Sequence, residues 1–134
     1  MTDIFADGSD FNGAILVHSD FSGARLRWSF FTEANATCAV FDGADLREAD
    51  MADGQFMGAS FRGANLSGAR VFITKFNAAD FSGADLRGIY TCRDGQPVDL
   101  GSKETFLAEV GQVTIDQATQ FGLLEGSGAN RYYN

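Results

Sequence analysis

Residues 9–88 divide into sixteen consecutive five-residue units with no insertion between them. From Ser9 they read SDFNG, AILVH, SDFSG, ARLRW, SFFTE, ANATC, AVFDG and ADLRE, then ADMAD, GQFMG, ASFRG, ANLSG, ARVFI, TKFNA, ADFSG and ADLRG. The first position is Ala in eleven units and Ser in three; the third is Phe in eight and Leu in five. A period of five is neither that of an α-helix nor that of a flat strand. It suits a backbone that turns one corner every five residues. Two side chains per unit then point inward, a small one and a large one, because a narrow coil has room for one large group per side only beside a small neighbour. The other positions are mostly Asp, Asn, Arg, Ser, Thr and Gly, as an outer surface and tight corners require. Gly recurs at the fifth position, the corner, where the backbone angles are ones other residues resist.

A twenty-residue period is superimposed on the first. Phe21, Phe41, Phe61 and Phe81 form one column, each followed two residues later by Gly23, Gly43, Gly63 and Gly83. Leu26, Leu46, Leu66 and Leu86 form the next, preceded by Ala24, Ala44, Ala64 and Ala84. Four units per turn would stack like upon like, which predicts four coils: 9–28, 29–48, 49–68 and 69–88. At the ~4.8 Å spacing of neighbouring strands these make a rod roughly 20 Å long.

The units ADLRE at 44, ANLSG at 64 and ADLRG at 84 resemble the Ala-(Asp/Asn)-Leu-x-x motif of the pentapeptide-repeat family. The resemblance covers residues 9–88 and implies that family's fold. The expected class is therefore all-β, a right-handed quadrilateral parallel β-helix. It implies much less about activity, since one fold hosts many roles.

A stack of coils exposes core and strand edges at both ends unless it is capped. Residues 1–8 read as a partial N-terminal coil and thin cap. Residues 89–134 read as a C-terminal cap: the repeat decays in IYTCR, DGQP at 94–97 is a turn, and Ser102 can cap a short helix near 103–110 that stops at Gly111. Phe106, Leu107 and Val110 are its apolar residues, and Phe106 and Leu107 would close the open end. QVTIDQATQF (112–121) is expected to add one strand-like segment, and EGSGANRYYN to be a mobile tail. Ala36 is the gap among the large third-position residues. It either leaves a cavity or draws in Phe56 from the next coil.

The chain carries a net charge of −8, two cysteines, and no run of eighteen apolar residues. This argues against a membrane span and against binding nucleic acid through clustered cations. The acidic N-terminus is unlike a signal peptide, and Cys38 and Cys92 suit reduced thiols in the cytoplasm.

No catalytic constellation emerges. His18 and Cys38 share a corner column, but Gly58 and Ala78 follow them, so neither a metal site nor a nucleophile–base pair is expected, and no cofactor. An enzyme is not indicated. Arg27, Arg47 and Arg87 form a row with Asp45 and Asp85 two residues before, as paired surface charges do. Apolar residues at outward or corner positions point elsewhere. Ile15, Val17, Trp28, Phe30, Met57, Phe72 and Ile73 suggest a contact with an unknown protein partner or a second copy of the chain, the alternative being that residues 89–134 fold back and cover Phe72 and Ile73. The expected function is thus a non-enzymatic cytoplasmic interaction module. The alternative is an acidic DNA mimic that inhibits or protects a type II topoisomerase such as gyrase. Against it, residues 9–88 hold ten acids and seven bases, a net charge of only −3.

Overall fold

The structure is a computed structural model and describes residues 4–123; the tail expected at 125–134 lies outside them. Every second-position residue from Phe5 to Arg70 is bridged in parallel to the residue twenty positions on. Each twenty-residue level therefore lies on the one before, with four sides per level. The first side holds 9–13, 29–33, 49–53 and 69–73; the second begins at 14, 34, 54 and 74; the third at 19, 39, 59 and 79. The fourth side holds 24–28, 44–48, 64–68 and 84–88, with residues 4–8 beneath Arg25.

The ladder accounts for most backbone N–H groups. The second-position N–H donates one level back (Asn35 to the Ala14 carbonyl, 2.9 Å), and the third-position N–H one level on (Leu46 to the Asn65 carbonyl, 2.7 Å). The fifth-position N–H also donates one level on, and the first closes the corner (Ala44 to the Phe41 carbonyl, 3.0 Å). This leaves the fourth-position N–H, and it explains why Asp or Asn so often stands two residues earlier. Asp10, Asp20, Asn35, Asp45, Asp50, Asn65, Asp80 and Asp85 each accept a bond from it through a side-chain oxygen. Where Arg25, Phe30 or Ser60 occupies the second position, a fourth-position side chain one level below takes over: Asp7 for Arg27, Asn12 for Thr32, Asp42 for Arg62. The second-position acids are corner pieces as much as surface charges.

Inside, third-position side chains form the columns expected from their spacing. Phe21, Phe41, Phe61 and Phe81 stack at 5.0–5.2 Å with rings within 7° of parallel, an arrangement that adds to the burial of each ring. Leu26, Leu46, Leu66 and Leu86 are fully buried on the next side. Ala36 is buried, and Phe56 one level up lies 6.2 and 6.0 Å from the rings of Phe31 and Phe41 in the level of Ala36. The larger residue leans over the smaller. Gly54, at a first position otherwise held mostly by Ala, makes this possible: a Cβ there would fall 2.5 Å from the Phe56 ring and 3.0 Å from the Met51 carbonyl.

Every fifth-position residue from 8 to 88 has a left-handed backbone, φ between 54° and 73°. Ile73 is the costliest occupant, because a β-branched side chain in this region is a steric outlier. Replacing Ile73 by Gly is expected to raise stability by about 1 kcal/mol, given the 1–2 kcal/mol cost of the conformation and the flexibility Gly adds to the unfolded chain. Urea unfolding checks this; a lower midpoint for the variant would show that the Ile73 side chain contributes more by packing than it costs by strain.

The C-terminal segment is more elaborate than a turn and a helix. Tyr90 continues the ladder on the first side, then leads into an antiparallel hairpin, β1 Tyr90–Arg93 and β2 Gln96–Asp99. Its two-residue turn, Asp94 and Gly95, has positive φ at both positions, which matches the twist of paired strands. Helix α1, Lys103–Val110, follows, with Ser102 as N-cap, Thr105 completing a reciprocal cap, and Gly111 at the C-terminus. Phe106 is fully buried and meets Phe81 edge-on at 5.5 Å; Val110 is buried, and Leu107 packs less completely. The chain then rejoins the coil: Thr114 bridges Asp80 and Gln120 bridges Asp85. These two bridging residues stand six apart, not five, so this last level breaks the period while keeping the ladder.

Candidate interaction surface

The residues singled out from sequence separate into two groups. Trp28, Phe30, Phe72 and Ile73 lie on the first side or at its two corners, whereas Ile15, Val17 and Met57 lie on the second. Ile15 is 84% exposed and Ile73 60% exposed; Val17, Trp28 and Phe30 are also exposed, while Met57 and Phe72 are half-buried. Trp28 is partly engaged within the chain, donating from Nε1 to Glu48 at 2.8 Å with the Arg27 guanidinium over its ring. Arg70 lies over Phe72 in the same way. Ile73 stands beside the corner where the hairpin leaves the coil.

The sides differ in charge. On the first, Asp10, Glu33, Asp50 and Asp53 face a single cation, Arg70, which pairs with Asp50 at 3.0 Å. The second carries Lys75 and no carboxylate. On the fourth, the row of arginines is paired with carboxylates: Asp45 with Arg47 and Asp85 with Arg87, both at 2.6 Å. Asp7 binds both Arg25 and Arg27 at 2.9 Å. Surface pairs of this kind add little stability, but they occupy the guanidinium groups an anion would need.

Asp7 titrates abnormally. The hydrogen bond from Arg27, helped by Arg25 and opposed by burial, lowers its pKa to about 2. A carboxylate whose pKa is lower in the folded state stabilises the fold above its ordinary range and loses that contribution as pH falls. Between about pH 4 and 2 the wild type is therefore expected to lose thermal stability more steeply than Asp7→Asn. Parallel melting curves for the two proteins across that window would remove this account.

Among the described residues there is no group of three potential metal ligands. His18 and Cys38 both adopt the left-handed corner conformation, and Cys38 is exposed, on a side without a third ligand. No described helix is long and apolar enough to cross a membrane.

The family profile of pentapeptide repeats matches in eight copies, over residues 2–32, 30–63, 39–76 and 55–89. No curated protein matches the chain. Among solved structures, a pentapeptide repeat protein from the Arabidopsis thaliana thylakoid lumen is 28% identical, with 81% of this chain and 77% of that one covered and a TM-score of 0.47. HetL, involved in heterocyst differentiation regulation in the cyanobacterium Nostoc sp. strain PCC 7120, is 27% identical over 64% of this chain and 38% of its own, with a TM-score of 0.34. Full-length QnrB1, a plasmid-mediated fluoroquinolone resistance protein, is 21% identical over 81% of this chain and 68% of its own, with a TM-score of 0.30.

Proposed function

Because this chain belongs to the pentapeptide-repeat family, whose members fold as right-handed quadrilateral β-helices, we propose that it is a non-enzymatic interaction module of the cytoplasm. In this reading four full coils, residues 9–88, form the rod, α1 closes one end, and the first side receives a protein partner. The observation that carries it is Ile73. A strained corner holds an apolar side chain out in solvent, where Gly would relieve the strain and remove the exposed surface together. Strain of this kind concentrates where a side chain has work to do. Phe30, half of Phe72 and the flanking carboxylates extend the same surface, which suits a partner offering apolar groups rimmed by Lys or Arg.

The test compares four baits against host extract: the wild type, Ile73→Gly, Phe30→Ser, and Arg87→Ala on the fourth side. Capture of a partner should fall for the first two variants and persist for the third. Equal capture by all four, or by none, removes the first side from consideration.

The topoisomerase reading has less support. Eight second-position Asp and Asn residues hold corner N–H groups, so their number reflects the fold. The arginines of the fourth side also interrupt any continuous negative track. A gyrase supercoiling assay decides it: neither inhibition nor protection at excess protein would end that alternative.

A further inference from the structure

The two ends of the rod are built differently. At one, α1 and the returning segment 112–122 cover the last level. At the other, residues 4–8 lie beneath the fourth side only, and among the described residues nothing lies beneath Asp10 or Ile15. Phe11 and Leu16, whose counterparts one level up are fully buried, remain half-buried there.

The ladder dictates what this edge offers. In every level above, the second-position N–H donates downward, and its carbonyl accepts from below (Asn35 N–H to Ala14, 2.9 Å; Leu16 N–H to the Asn35 carbonyl, 2.7 Å). At the lowest level the same two groups of Ile15 therefore point out of the end. Those of Phe5 do so as well, since Ala6 and Ile4 make the bonds to Arg25. A residue with both groups facing one way is what an antiparallel hydrogen-bonded pair requires. Phe5 and Ile15 are 75% and 84% exposed, and they stand on opposite sides of the square.

We propose that this end is a self-association site, in which residues 4–8 of each copy pair antiparallel with residues 14–18 of a second copy, Phe5 opposite Ile15. A two-fold axis through the first and third sides exchanges the second and fourth. It therefore seats residues 4–8 of each copy under the other's second side, in a place that no described residue fills. The rods then meet without tilting, with their first sides two strand spacings apart. The pairing closes the edges of residues 4–8 and 14–18, brings two exposed apolar side chains into cross-strand contact, and covers Leu16. It also keeps the two Asp10 carboxylates two strand spacings apart, about 10 Å. The occupant is a second copy because its own edge supplies the complementary donors, acceptors and step. This surface is separate from the first side and stands or falls without it. The end is smaller than a standard interface of ~800 Å² per partner, so the dimer is expected to be weak and concentration-dependent.

Sedimentation velocity over a range of concentrations should show a monomer–dimer equilibrium. Ile15→Pro, which removes an N–H that makes no bond within the described chain, should weaken it at least tenfold while leaving the melting temperature unchanged. In a Cys38→Ser, Cys92→Ser background, a mixture of Phe5→Cys and Ile15→Cys should cross-link on oxidation, because hydrogen-bonded antiparallel pairs lie ~5.5 Å apart at Cα, within disulfide reach. Neither variant alone should, since like positions fall on opposite sides. A monomer at every concentration, a dimer indifferent to Ile15→Pro, or cross-linking by either variant alone would each overturn the proposal.

Discussion

Phe61→Ala is expected to lower the unfolding free energy by about 3–5 kcal/mol, the range for removing a fully buried aromatic ring from a core that cannot close around the space. Phe61 is fully buried and stacked between Phe41 at 5.1 Å and Phe81 at 5.0 Å, with Phe56 and Phe76 against its flanks. Its neighbours are held by ladder bonds above and below, so collapse into the space is opposed by the backbone. Each level touches only the next, and such arrays can lose their cooperativity when one contact fails. The denaturant transition should therefore move to lower urea and also broaden, as the two halves of the rod separate energetically. A loss below about 1 kcal/mol would mean that the stack is more plastic than its geometry indicates.

Gly54→Ala should cost about 1–3 kcal/mol, the range for overpacking a filled core, although Ala stands at eleven of the sixteen first positions. A methyl group there meets the Phe56 ring at 2.5 Å, and the Met51 and Phe31 carbonyls at 3.0 and 3.3 Å, and the latter two are fixed by the backbone. The cause is the compensation across levels: small Ala36, large Phe56 leaning over it, and no side chain at Gly54. Ala36→Leu should be destabilising for the same reason and by a similar amount. The arrangement is tested by a double-variant cycle. Phe56→Leu, though costly alone, should make Gly54→Ala much less damaging, and additive effects would show that the two residues do not share the space.

How much could be read from the chain beforehand follows from what repeats. The twenty-residue columns were legible because the same side chain is demanded at the same place in each level, and bridges at that interval run from Phe5 to Tyr90. Phe56 over Ala36 was one of two outcomes the sequence left open. The hairpin is less legible, although Asp94-Gly95 between Tyr90, Thr91 and Val98 is a turn flanked by strand formers; Pro97 argues against a strand there, and it is accommodated opposite Cys92 on β2, which among the described residues pairs with β1 alone. The six-residue step between Thr114 and Gln120 could not be found by any period. Nor could the corner role of the second-position acids, since an Asp bonded to the backbone two residues on and an Asp facing water look alike in sequence. Outward residues have no repeating constraint at all. Exposure of Ile15 and Ile73 was inferable one residue at a time, whereas the half-burial of Met57 and Phe72 depends on neighbours that no pattern announces.

The ladder that joins each residue to the one twenty ahead makes this architecture respond to insertions in two distinct ways. Duplicating twenty residues would slide everything beyond it along the axis by one strand spacing, ~4.8 Å, and leave each column in line. Duplicating five would instead turn everything beyond it by a quarter revolution, setting Phe columns on Leu columns and carrying Ile73 from one side of the square to the next. Chains of this kind can therefore change length, or re-aim half of their surface, by copying short stretches of themselves while the backbone ladder keeps the same pattern.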